Sequence, residues 1–148
     1  MPRFEFRWKS LLAVRQSELD QKRAELGAAL AEERKLTLER TALEHQLSSQ
    51  RQHRRLEPGQ LDLSRVQADC RFESTIRSQL AAIESRQLAL KSEIELRRKA
   101  ALEADRQLRT LDKLRTRQLE QFASQSERAE RKQLDEAAAR STPFAAEW

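Results

Sequence analysis

Leucines and other apolar residues recur in the first half of the chain at alternating steps of four and three residues, beginning at Trp8. This spacing is typical of a coiled-coil seam. Where charged residues fall on it, their long stems can lie along the seam while their heads stay in water. The pattern predicts a long helix with a thin apolar seam. The predicted seam positions are Trp8, Leu12, Arg15, Leu19, Lys22, Leu26, Ala29, Glu33, Leu36, Arg40, Leu43 and Leu47.

A second and longer series runs at the same spacing from Val66 to Phe122 and predicts a second helix. Beyond Phe122 the same steps fall mostly on polar residues, so the apolar stripe fades. The second seam comprises Val66, Asp69, Glu73, Ile76, Leu80, Ile83, Gln87, Leu90, Ile94, Arg97, Ala101, Ala104, Leu108, Leu111, Arg115, Gln118 and Phe122.

The positions of proline predict where the helices break, because a proline inside a helix costs about 3 kcal/mol. Pro2, Pro58 and Pro143 are the only prolines, and Pro58-Gly59 lies between the two series. Ser64 to Gln67 matches a capping box at the start of the second helix. We therefore predict one coiled-coil domain over residues 1–140. Its parts are helix one at about 8–56, a hinge at 57–64 and helix two at about 65–139, with a flexible tail at 141–148.

Two amphipathic helices joined by a short connection bury their stripes by folding back on each other. The predicted fold is all-α: an antiparallel coiled-coil hairpin with arms of unequal length. Folding at residues 58–60 puts Leu43 roughly opposite Ile76 and Leu12 roughly opposite Arg106. Helix two beyond about Leu108 then lacks a partner within the chain, and its apolar stripe suggests an external one. The apolar residues of this overhang are Leu108, Leu111, Leu114, Leu119 and Phe122.

The composition agrees with long helices and disfavours a compact globule, since 36% of residues are charged and only 5% are aromatic. The net charge is +5, and the 29 basic residues are interspersed with 24 acidic ones. This mixture indicates a solvated helix surface more than a nucleic-acid interface. No apolar run approaches the ~20 residues that a membrane span needs. The single cysteine, Cys70, fits a reducing, cytoplasmic compartment.

Residues that could carry chemistry are few. His45 and His53 are more than two helical turns apart and have no carboxylate or thiol that completes a metal set. Cys70 lacks a histidine at a triad-like position, and the chain has no glycine-rich phosphate loop. We therefore predict no catalytic residue, no metal site and no cofactor, and a protein that is not an enzyme.

The N-terminal aromatics Phe4, Phe6 and Trp8 alternate at a period of two, which does not suit a helix seam. One interpretation is an aromatic clasp that packs on the helix pair. The other is an anchor inserted into another protein, because exposed aromatics are costly unless used.

Both ends of the chain resemble the flagellar FliJ family. The N-terminal pattern F-x-F-x(4)-L-L-x-x-R and the C-terminal segments ALEADRQLRTLDKLRTRQLEQF and ERAERKQLDEAAAR are similar to the opening and close of that family. The central hinge and total length fit as well. The residues that carry the resemblance are Phe4, Phe6, Leu11, Leu12, Arg15, Leu111, Leu114, Arg117, Phe122, Glu130, Leu134, Asp135 and Glu136.

The resemblance implies a central stalk and chaperone-escort component of the flagellar type III protein export apparatus. Such a stalk couples the hexameric flagellar export ATPase to the transmembrane export gate protein and also binds export chaperones. It lies in the cytoplasm, held by its partners at the cytoplasmic face of the inner membrane, and binds no nucleic acid. The implied ATPase-facing residues are Leu11, Leu12, Arg15, Leu111, Leu114 and Phe122, and the implied gate-facing residues are Leu43, Leu47, Phe72, Ile76 and Leu80.

Three alternatives stay open at this point. One is a generic structural coiled coil that dimerises with itself or with another filament, the overhangs of two chains pairing. The second is a basic nucleic-acid binder, which should show a strongly salt-dependent affinity. The third is the equivalent stalk of a virulence type III secretion system.

Overall fold

The computed structural model describes residues 3–56, 59 and 62–141, and these form two long helices. Helix α1 spans Lys9–Leu56 and helix α2 spans Leu63–Ser141, 48 and 79 residues respectively. No strand occurs within the described ranges. The predictions of an all-α fold, of two long helices packed on each other and of unequal arms are confirmed. Pro58 and the tail from Thr142 to Trp148 lie outside the described residues.

The two helices contribute to two compact units. The first unit combines Met1–Leu19 with Ala104–Trp148, and the second is Asp20–Glu103. In the second unit α1 and α2 run antiparallel, since Glu32 pairs with Arg86 whereas Arg51, further along α1, pairs with Glu73, earlier on α2.

The core of the second unit is small and lies in the seam between the helices. Ala29, Leu90 and Ile94 are buried there, and Leu26, Leu30 and Leu36 pack against them. Most seam positions predicted from the spacing are buried or half-buried. The exceptions are Trp8, Glu33, Val66 and Arg115, which are exposed.

Polar bonds cross the same seam. Arg97 donates to the backbone carbonyl of Glu25 at 2.6 Å, and Arg40 donates to the side-chain carbonyl of Gln87 at 3.3 Å. Nearer the hinge, Gln50 donates to Asp69 at 2.9 Å. Four polar residues of the predicted seam, Arg40, Asp69, Gln87 and Arg97, therefore form hydrogen bonds between the two helices.

The start of α2 corrects the predicted cap. An Asp62 carboxylate oxygen accepts hydrogen bonds from the backbone N–H and the hydroxyl of Ser64, and Val66 N–H donates to the Asp62 carbonyl. Asp62 is thus the N-cap, and the helix begins at Leu63 rather than near Arg65. The capping box centred on Ser64 was wrong, because the backbone N–H of Ser64 donates to Asp62 and the Ser64 hydroxyl is itself a donor to the same carboxylate.

In the second unit, Leu43 lines a groove with Gln79, Ala82 and Ile83. Helix α1 ends at Leu56 and α2 begins at Leu63.

In the first unit, Leu12 shares a groove with Arg115. Residues 3–8, which we call the N-terminal strap, precede α1 and are not helical. The Phe4 ring packs on Phe122, with centroids 5.7 Å apart. An extended chain advances about 3.3 Å per residue against 1.5 Å in a helix, so a short strap reaches far along α2.

The predicted overhang is consequently shorter than expected. Leu108, Leu111 and Phe122 are half-buried, whereas every residue from Glu127 to Ser141 is exposed. The prediction that α2 lacks a partner from Leu108 onward was wrong, because the strap covers part of it. We call residues 127–141 the C-terminal arm.

Candidate partner-binding surfaces

The six residues expected to face the ATPase all belong to the first unit. Leu11, Leu12 and Arg15 lie on the first turns of α1, and each is half-buried. On α2, Leu111 and Phe122 are also half-buried, while Leu114 is 38% exposed. Leu114 is therefore the member of this set whose side chain is most available to another protein.

A groove of about 710 Å³ lies beside the strap. Phe4, Phe6, Leu12 and Arg115 contribute to its wall. Phe6 is only 9% exposed, so the strap is anchored by a buried aromatic as well as by the contact of Phe4 with Phe122. Of the two interpretations of the N-terminal aromatics, the clasp describes Phe4 and Phe6. Trp8 remains exposed, with the Arg7 guanidinium 5.4 Å from its ring centroid.

The five residues expected to face the gate belong to the second unit but differ in accessibility. Ile76 is 4% exposed and belongs to the seam core, whereas Phe72 is 40% exposed. Leu43, Leu47 and Leu80 are half-buried. A partner that approaches the intact helix pair can therefore touch Phe72 directly, while Ile76 becomes accessible only if the helices separate.

A shallow apolar groove lies between the helices at the level of Leu43. Its volume is about 440 Å³, and small side chains from the two helices, Ala42 and Ala82, face it together with Ile83. Such small residues allow a further helix to approach closely. Ala42 and Ala82 flank the seam, so the apolar spacing along the chain did not identify them.

Charge pairs at the hinge end of the second unit hold the two helices together at their surface. Glu73 accepts from Arg51 across the helices at 2.7 Å and from Arg77 on its own helix at 2.6 Å. The hydrogen bond from Arg51 is the main cause that lowers the pKa of Glu73 below its ordinary value of 4.5. Further along, Glu32 raises the pKa of Arg86, from which it accepts two hydrogen bonds. The carboxylate of Glu73 therefore remains ionised at neutral pH.

The pKa of Asp62, at the N-cap of α2, is lowered as well. The bond from the Ser64 hydroxyl, followed by that from the Ser64 backbone, lowers the pKa of Asp62 below 3.8. The N-cap carboxylate is therefore ionised at neutral pH, which also suits the positive end of the helix dipole.

The residues considered for chemistry lie apart on the surface. His45, His53 and Cys70 are all exposed. Within residues 3–56, 59 and 62–141, no group of three or more His, Cys, Asp or Glu side chains could hold a metal ion.

Neither helix, over its described length, is both long and apolar enough to cross a membrane. Comparisons with known proteins found no match to this chain among family models, curated proteins or solved structures.

Proposed function

We propose that this protein is the central stalk of a flagellar-type protein export apparatus and couples a hexameric export ATPase to a transmembrane export gate protein. The observation that supports this most is the position of the two FliJ-like ends. They come from opposite ends of the chain, yet both belong to the first unit, where Phe4 packs on Phe122.

The ATPase-facing surface in this proposal combines Leu114 with the C-terminal arm. Leu114 is the exposed member of the FliJ-like set on α2, and the arm is exposed along its whole described length. The charges of the arm form pairs within the helix, such as Glu127 with Arg131 and Lys132 with Glu136. Exposed pairs of this kind contribute little individually and are screened by salt. They suit a stalk that must exchange contacts among six identical subunits without binding one of them tightly.

The gate-facing surface lies in the second unit. Phe72 offers an exposed aromatic side chain, and the groove beside Ala42 and Ala82 offers room for an apolar side chain. We infer that a helical segment of the gate protein occupies this surface and touches Leu43, which lines the groove. Leu47 and Leu80 would support the surface from the seam.

Two further parts of the proposal follow from the FliJ resemblance. Export chaperones would bind the same protein in its escort role. The stalk would be held by its partners at the cytoplasmic face of the inner membrane. The absence of a helix able to cross a membrane within the described residues is compatible with that peripheral position.

The experiment that tests the ATPase contact measures ATP hydrolysis by the purified export ATPase with and without this protein. A chain ending at Ser126 lacks the C-terminal arm but keeps Phe122 and the strap. We expect it to lose most of the stimulation that the full chain gives, and Leu114→Ser to weaken the stimulation several-fold. Leu88→Ser is the matched control, because Leu88 is also an exposed leucine of α2 but lies in the second unit.

Full stimulation by both the shortened chain and Leu114→Ser would contradict this assignment. Circular dichroism of each variant shows that a loss of stimulation does not come from unfolding.

The equivalent stalk of a virulence secretion system is the alternative within the same class of protein. Pull-down with the two kinds of ATPase in parallel separates them, since the stalk should retain its own ATPase at a lower protein concentration. Recovery of neither ATPase would favour a generic structural coiled coil.

A further inference from the structure

The hinge end of the second unit is held together by polar side chains. Within residues 50–55 of α1 and residues 62–75 before and along α2, the side chains that are not exposed are those of Gln50, Asp69 and Glu73. The large apolar residues of these segments stay exposed, Leu63 at 75%, Val66 at 38% and Phe72 at 40%. No large apolar residue of these two segments is therefore buried against the opposite helix.

Two carboxylates of α2 receive the hydrogen bonds that cross between the helices here. Asp69 accepts from the Gln50 amide at 2.9 Å and pairs with Arg54 at 3.3 Å. Glu73 accepts from Arg51 at 2.7 Å. The Arg51 and Arg54 side chains are 51% and 46% exposed, so dissolved salt can screen both ion pairs. We use the name polar latch for the five residues Gln50, Arg51, Arg54, Asp69 and Glu73.

The closed latch leaves one of its own polar atoms without a partner. Gln50 Nε2 donates to Asp69, but Gln50 Oε1 is buried and no donor among the described residues bonds to it. Separation of the helices would return this oxygen to solvent, which lowers the cost of opening. Glu73 would also keep the bond that it accepts from Arg77 of its own helix at 2.6 Å. Opening therefore does not strand this carboxylate.

The seam beyond the latch is apolar, and this limits how far the opening extends. Ile76, about one turn after Glu73, is 4% exposed and is the first buried residue of α2 counted from the hinge. Further along, Leu90 is fully buried in the cluster with Ala29 and Ile94. Exposed ion pairs contribute little to stability, whereas buried apolar side chains are costly to expose. The hinge end therefore costs less to open than the part of the second unit around Leu90.

We propose that the polar latch lets the hinge end open and close as a unit while the seam around Leu90 stays closed, and that opening uncovers Ile76. Salt shifts the latch toward the open form, because it screens the pairs that Arg51 and Arg54 make across the helices. Ile76 and the exposed Phe72 are four residues apart and share a face of α2, so the open form presents them together. The latch would control access to the proposed gate-facing surface, but the opening itself is a property of this chain and does not rest on that assignment.

Distances between spin labels measure the opening on the full chain. The pair His53→Cys with Ala68→Cys spans the latch, and the pair Ala31→Cys with Ala89→Cys spans the seam near Leu90; all four sites are exposed. Both pairs are made in a Cys70→Ser background. Between about 0.1 M and about 1 M salt the Debye length falls from ~10 Å to ~3 Å, and we expect the long-distance population of the latch pair to grow about two-fold or more. The pair near Leu90 should keep one short distance.

Removal of one carboxylate distinguishes the latch from simple fraying of helix ends. Glu73→Ala should give at low salt the long distances that the unaltered latch gives at high salt, because Arg51 loses its acceptor on α2. Glu32→Ala is the matched control, since Glu32 also pairs with an arginine of the opposite helix, Arg86 at 2.7 Å, but lies away from the hinge. It should leave the latch pair unchanged.

The exposure of Ile76 is measured by the reaction of a cysteine at this position with N-ethylmaleimide, an uncharged reagent. Ile76→Cys and Leu90→Cys are each made in a Cys70→Ser background, and the exposed Cys70 of the unaltered protein gives the rate of an accessible thiol. We expect Ile76→Cys to react several-fold faster at high salt, and Leu90→Cys to stay protected at both concentrations. Circular dichroism of every variant checks its helix content.

The proposal is overturned if the latch pair keeps one short distance both at high salt and with Glu73→Ala. It also fails if the two labelled pairs lengthen together, because the whole unit would then open. Equal lengthening by Glu32→Ala and Glu73→Ala would show that the latch contacts do not control the opening. If the latch pair lengthens while Ile76→Cys stays as protected as Leu90→Cys, the opening does not uncover Ile76.

Discussion

Phe4 and Phe122 lie ring against ring, their centroids 5.7 Å apart and their planes tilted by 51°, although they belong to opposite ends of the chain. Tilted aromatic pairs of this kind contribute about 0.5–1.5 kcal/mol beyond the area they bury. This contact fixes the strap on α2 and determines how much of that helix stays uncovered.

Replacing Phe122 by alanine should release the strap. We expect Phe122→Ala to make the peptide bond after the exposed Arg7 several-fold more sensitive to trypsin, because the strap loses its aromatic partner on α2. Mass spectrometry of brief digests measures the cleavage. Leu119→Ala changes a neighbouring exposed residue and should leave the rate near that of the unaltered protein.

Gly27 should be replaceable with a gain in stability. It lies inside α1, and a methyl group built at its Cα meets no other atom within 4 Å. Gly27→Ala should therefore raise the free energy of unfolding by about 1 kcal/mol, the usual difference in helix propensity. Urea titration followed by circular dichroism measures it. The reverse change at the adjacent exposed residue, Ala28→Gly, should lower stability by a similar amount.

Leu90 should be among the most sensitive positions in the second unit. Its side chain is fully buried and packs in the cluster with Ala29 and Ile94. Leu90→Ala should cost about 2–5 kcal/mol, since it removes buried apolar contacts and leaves a cavity. The exposed Leu88 on the same helix provides the comparison, and Leu88→Ala should change stability by less than about 0.5 kcal/mol. Equal effects at both positions would contradict the observed seam.

The hydrogen bonds at the N-cap of α2 predict different effects for substitutions at Asp62 and at Ser64. Asp62→Ala should lower the free energy of unfolding, because the backbone N–H of Ser64 loses its carboxylate acceptor. Ser64→Ala should cost less, since its hydroxyl only donates to the same carboxylate. Thermal unfolding of both variants under one condition makes the comparison. A larger loss at Ser64 would restore the capping box that the sequence suggested.

Acid should weaken the helix pair through Glu73. Its pKa is lowered in the folded protein, chiefly by the hydrogen bond from Arg51. The pairing therefore stabilises the fold above the unfolded pKa, near 4.5, and that stability is lost as the pH falls through the lower folded value. The stability of Glu73→Gln should lie below that of the unaltered protein at pH 7 and converge with it in acid. Urea midpoints between pH 7 and pH 3 measure this, with the exposed Glu84→Gln as control.

The helices and most of their seam could be predicted from the sequence, because apolar spacing is a local property of the chain. Leu19, Leu90 and Ile94 were predicted seam positions and are buried. The level at which the helices pair depends instead on the connection between them, so the apolar spacing alone did not identify the groove that Leu43 lines with Ala82 and Ile83.

The candidate surfaces were predicted less completely, for two physical reasons. Spacing along the chain identifies an apolar residue but does not say whether a distant segment covers it, as the strap does at Phe122. The accessible positions also lie beside the seam, where Ala42 and Ala82 carry no strong hydrophobic signal. The exposed Phe72 was in the predicted gate-facing set, and its role there stays a prediction.

The hydrogen bond between Arg40 and Gln87 disfavours a shift in register between α1 and α2 in the second unit. Two apolar stripes with the same repeat could also match after sliding by a heptad, since leucine would still meet leucine or isoleucine. Such a slip would bring Arg40 to the level of Leu80 or Ile94, where it loses the hydrogen bond across the seam to Gln87 and keeps only the bond to Glu44 on its own helix. The polar members of the seam thus discriminate against misfolded alignments that the leucines alone would tolerate.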